Sequence, residues 1–157
     1  MIKRKIWILL TVFGLIFVFN LAVAAQIKTD SVVSSNIVKI WLPSGAEKVL
    51  PESYPREMTA MLEKIVEDKG QGKWEQYDTE VLIWKGAEFK KTGADAIIKR
   101  LTEKIKAVEW QFEADKPEKG MTIFKITDDV TGNVVLGFYI ATEDGLLWAW
   151  TLVAPKS

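Results

Sequence analysis

The chain contains no cysteine and no histidine. Without cysteine there can be no disulfide, no thiol nucleophile, no thiolate metal ligand and no lipid anchor through an N-terminal cysteine. Without histidine, neither a Ser-His-Asp nor a Cys-His arrangement can be assembled, and zinc sites of the Cys/His type are excluded. No side chain has an unperturbed pKa near neutrality. General acid–base work would therefore fall to carboxylates, lysines or tyrosines with shifted pKa values. An excess of positive charge is also missing. Beyond residue 25 the chain carries 18 basic and 21 acidic side chains, a net of −3, and a nucleic-acid footprint needs clustered positive charge. No internal repeat, low-complexity tract or second domain is present.

What is present begins with targeting. Lys3, Arg4 and Lys5 precede an apolar run over residues 6–19, and Asn20 leads into small residues at Ala22, Ala24 and Ala25. This is the three-part layout of a secretory signal peptide, with cleavage expected after Ala24 or Ala25. The rival reading is an uncleaved anchor, because residues 6–25 have the length of about 20 that a spanning helix needs. Asn20 and the small residues behind it favour cleavage. An exported protein, periplasmic or secreted, is the expectation. The remaining 132 residues are one domain's worth, large enough to bury about two-thirds of the unfolded surface without a disulfide or metal.

The serine-rich segment 26–36 reads as a flexible lead-in, followed by a single domain over residues 37–157. Residues 37–42 (IVKIWL) predict a short edge strand and residues 47–52 a loop. Ser53 as N-cap, Pro55 in the first turn and Met58, Met61, Leu62, Ile65 and Val66 at helical spacing predict a first helix ending at Gly70 and Gly72. Residues 79–84 (TEVLIW) predict a strand. Thr92 and Asp95 form a capping box for a second helix whose apolar stripe includes Ile97, Ile98, Leu101 and Ile105. From residue 109 the period changes to alternation, and three turns divide the remainder into four strands, an antiparallel meander. The fold class predicted is α+β: two helices packed on one face of a mostly antiparallel sheet with a C-terminal four-strand meander. The last two strands, VVLGFYIA and LLWAWTLV, are apolar on both faces. They lie either under two covering layers or beside an interaction surface. Gly137 in mid-strand suggests a close backbone approach.

The candidate binding residues follow from that second possibility. Trp148 and Trp150 share one face by alternation, with Tyr139 or Phe138 beside them. Such a surface suits an unidentified protein, a small apolar or sugar ligand, or a second copy of the chain in a homodimer, bound by burial of aromatic area. The plain alternative is core packing. Asp128, Asp129, Thr131 and Asn133 supply clustered oxygens, but their spacing does not match a calcium loop and reads as a hairpin turn. Glu143 and Asp144 pairing with Asp128 or Asp129 would give the acid and base of a polysaccharide hydrolase. Lysines around the second helix, interrupted by Glu103, read as a solvated face. The 70–73 segment GQGK is too short and misplaced for a phosphate loop. The sequence thus points to a non-enzymatic exported binding protein with no cofactor, no metal and no nucleic-acid partner. The alternatives are a carboxylate-dependent hydrolase, or a membrane-tethered accessory subunit if the first segment is retained.

Overall fold

The computed structural model describes residues 27–157; the expected leader and its cleavage site lie outside them. Among these residues seven strands form one antiparallel sheet: β1 (Thr29–Ser31), β2 (Glu47–Val49), β3 (Trp74–Lys85), β4 (Gln111–Ala114), β5 (Met121–Thr127), β6 (Val134–Ala141) and β7 (Gly145–Pro155). Their spatial order is β1-β2-β3-β7-β6-β5-β4. The helices are α1 (Arg56–Gly70), α2 (Gly86–Thr92) and α3 (Ala94–Ala107). The class is α+β, and β4 to β7 form the C-terminal meander. Among the described residues no helix is long and apolar enough to cross a membrane.

The helices divide between the two faces. On one, α1 lays Met58, Met61, Leu62, Ile65 and Val66 against Val81, Ile83, Leu136, Phe138 and Ala149. On the other, Phe89 of α2 and Ile97, Leu101 and Ile105 of α3 meet Leu82, Trp84, Val135, Trp148 and Trp150. Residues 37–46 join this second layer through Ile37, Val38, Ile40, Leu42 and Ala46. The two-sided apolar strands β6 and β7 are thus central and covered on both sides. Successive residues of β7 alternate between the two cores, as the pleat requires.

Five local expectations change. Residues 47–49 of the expected 47–52 loop form β2, which pairs with β3 through Glu47↔Ile83 and Lys48↔Leu82. Within 26–36, residues 29–31 pair with β2 in register Thr29↔Val49 and Ser31↔Glu47, so the segment is part of the sheet rather than a loose lead-in. Residues 37–42 do not form an edge strand. They belong to a hairpin-like strap in which Ser35 N–H donates to Ile40 C=O (2.9 Å) and Leu42 N–H to Val33 C=O (2.8 Å). The reversal is completed by Lys39 at φ 61°. Ser53 does not cap α1: Pro55 occupies the cap position, and Ser53 Oγ accepts from Lys28 N–H (3.0 Å). The Thr92–Asp95 capping box is absent too. Thr92 ends α2, and Gly93 (φ 82°) turns the chain into α3 with no side-chain cap. A left-handed backbone at 93 suits glycine and breaks the helix the periodicity suggested.

Gly137 is glycine for lack of space. A Cβ there would overlap the Ala149 carbonyl and sit 2.6 Å from the Phe124 ring and 2.9 Å from Trp150 Cβ. The aromatic layer is seated directly on the β6 backbone.

Candidate functional site

The residues singled out from sequence do not form an open surface. Trp148, Trp150 and Phe138 are all fully buried, and Phe138 faces α1 on the opposite side of the sheet from the two tryptophans. Only Tyr139 is half-exposed. Its ring lies parallel to Trp148 (centroids 5.2 Å, interplanar 4°), and Phe124 sits 4.5 Å from Trp148 on centroids. Trp148 meets Trp150 at 90° and 5.6 Å. Such offset and edge-to-face pairs add to area burial. The expected aromatic sheet face is therefore a core. A third helical segment and the strap supply the cover that two helices on one side would have lacked.

At its centre is a group that the pattern did not single out. Glu80 is only 1% exposed. Its carboxylate accepts from Ser35 Oγ (2.7 Å), Trp150 Nε1 (2.8 Å) and the Asn36 backbone N–H (3.3 Å), with Lys48 Nζ at 4.0 Å. Buried charge is tolerated only with such partners. The bonds tie the strap, β3 and β7 together, and Trp84 Nε1 adds a bond to the Pro43 carbonyl (3.1 Å). The sequence signal was faint. Glu80 shares a strand face with Leu82 and Trp84, where alternation predicts an apolar residue. Trp148 lacks such help: its buried Nε1–H has no hydrogen-bond partner among the described residues.

The acidic turns are built as turns. Asp128 accepts from Val130 N–H (3.0 Å) and from Thr131 Oγ1, while Asp129 accepts from Gln111. The Thr131 hydroxyl, helped by backbone N–H groups and opposed by partial desolvation, lowers the Asp128 pKa. Glu143 and Asp144 lie in the β6–β7 turn, where Thr142 Oγ1 accepts from the Asp144 and Gly145 N–H groups. The two turns stand at opposite ends of the eight-residue β6. At about 3.3 Å per residue that is roughly 25 Å, far beyond the carboxylate separation of a glycosidase. No metal-holding cluster of acidic side chains occurs among the described residues. The hydroxyl of Tyr54 donates to the Thr79 carbonyl (3.3 Å). Burial, and then the nearby Glu80 and Asp78 carboxylates, raise its pKa.

The exposed aromatics sit on the rim instead. Trp41, on the strap, is 69% exposed, and Tyr77, on β3, is 76% exposed. Tyr77 is the extra residue of a bulge: Gln76 pairs with Val153 and Asp78 with Leu152, leaving it no partner on β7. Nearby, a groove of about 210 Å³ runs between α1 and the start of β3, with Trp74, Val66, Glu63, Glu67 and Glu75 among its walls. Trp74 is half-buried there. The chain matches no protein-family model, no curated protein and no solved structure.

Proposed function

We propose that this is a small exported protein that acts by binding another protein through aromatic side chains at the rim of its sheet. The observation that carries the reading is the contrast among its large aromatics. Trp84, Trp148 and Trp150 are fully buried, whereas Trp41 and Tyr77 are left some 70% in water. Exposed tryptophan and tyrosine are the residue types that anchor interfaces. The surroundings of the carboxylates support binding over hydrolysis, since those of the turns are far apart and Glu80 is enclosed by its donors. Targeting follows from the first 25 residues, whose positive start, apolar run and small residues suit a leader.

The test has two arms. Mass measurement on protein recovered outside the cytoplasm is expected to show a start at Ala25 or Gln26. A photo-crosslinking amino acid at position 41 or 77 is expected to yield a discrete protein adduct in the native host, and the same probe at exposed Lys119 is not. Retention in the cytoplasm, or adducts indistinguishable from those at 119, overturns the proposal.

A further inference from the structure

We propose that the stretch of β3 that β2 does not reach, residues 74–79, is a docking edge for an extended basic segment of a partner protein, added to the described sheet as an eighth strand. This rests on the binding reading above and gives the partner its chemistry.

The edge comes from unequal strand lengths. β3 is twelve residues long and pairs with β7 from Trp74↔Pro155 to Lys85↔Gly145. On its other side β2 pairs only with Leu82 and Ile83. Residues 74–79 therefore have a described strand on one side alone, and the Tyr54 hydroxyl is bonded to just the last of their carbonyls. Unpaired backbone along a sheet edge is a template for another strand.

Charge selects the occupant. Glu63, Glu67 and Glu75 line the groove beside this edge against the single ammonium of Lys156. None of the three carboxylates is held in a salt bridge among the described residues. Asp78 adds a fourth on the strand itself. A second copy of the chain would bring the same carboxylates face to face, which is destabilising across a strand pair. A strand bearing Lys or Arg meets the opposite sign, and the Trp74 ring gives its aliphatic stem or cationic head an aromatic wall. Tyr77, turned out by the bulge, flanks the site with apolar area.

The probe is a blocked octapeptide of alternating lysine and valine, titrated into the full chain with backbone amide shifts recorded. Shifts centred on residues 74–79, and slower amide exchange there, are expected. Three controls are expected to fail: a glutamate–valine octapeptide, the lysine–valine peptide N-methylated at alternate residues, and added salt. The double variant Glu63→Lys/Glu67→Lys, shown folded by its unchanged β7 amide shifts, is expected to bind about tenfold more weakly or worse. Absence of binding at millimolar peptide, equal binding of the N-methylated peptide, or no effect of charge reversal each overturns the assignment. If the peptide fails while adducts still form at position 41 or 77, binding stands and only this partner chemistry falls. If both fail, both readings fall together.

Discussion

The two faces of the sheet solve one burial problem by different means. Under α1 the core is mostly aliphatic and methionine; among the described residues Phe138 is its one fully enclosed ring, and it holds no buried charge. Its cohesion is non-directional burial, roughly proportional to area. Under α2, α3 and the strap the core holds Trp84, Trp148, Trp150 and Phe124, with Glu80 drawing three donors to one carboxylate. There the bonds have direction, and losing one partner strands the others. One face is tolerant and the other is specified, although they share the backbones of the same strands.

The largest test of that contrast pairs a truncation on each side. Trp150→Ala removes a buried ring and a donor to Glu80 and is expected to cost about 4–5 kcal/mol, against about 3 kcal/mol for Leu62→Ala under α1. Urea unfolding measures both; equal losses would erase the distinction. Gly137→Ala puts a methyl group into the Ala149 carbonyl and the Phe124 ring, with an expected loss of about 3 kcal/mol by thermal unfolding. A neutral result would mean that the aromatic layer yields easily. Next, Trp150→Phe breaks the bond to Glu80, whereas Trp148→Phe deletes an N–H that has no partner. The first is expected to cost about 2 kcal/mol and the second about 1 kcal/mol or less, so a reversed order would deny Glu80 its role.

The smallest effect lies at the rim, in the Asp128 turn. Its folded pKa is depressed, chiefly by the Thr131 hydroxyl. A depressed carboxyl contributes stability above its unfolded pKa, near 4, and loses it as pH falls through the lower folded value. Denaturation curves between pH 5 and pH 2 are expected to show that loss in the native chain and a smaller one in Asp128→Asn, in buffers of about those values.

The meander was legible because its signals are local. Glycine, asparagine and aspartate mark the turns at 128–133 and 143–145, and alternation marks the strands between them. The face of α1 was legible for the same reason, through methionine and leucine at helical spacing. β1 and β2 were not, because each is three residues long and becomes a strand only by pairing with a neighbour distant in sequence. Gly93 hid a break inside a continuous apolar stripe. The site was less legible than the fold. Trp148 and Trp150 carry the same pattern whether a helix or water covers them, and their cover is the tertiary placement of α3 and a strap thought to be an edge strand. Glu80 reads as any solvated glutamate until its three donors are brought to it. Tyr77 is exposed by a bulge, which depends on the register of β3 against β7.

The order of assembly follows from where β7 lies. It is the last strand along the chain, yet it occupies the middle of the sheet between β3 and β6. Until it is available, the N-terminal half of the sheet has no link to the meander, and neither helical layer has a complete floor. The sheet can therefore close only once residues 145–155 are free to pair with β3 and β6, after every other strand of the sheet has been made. A chain that stopped before Gly145 would have two half-sheets and nothing to join them.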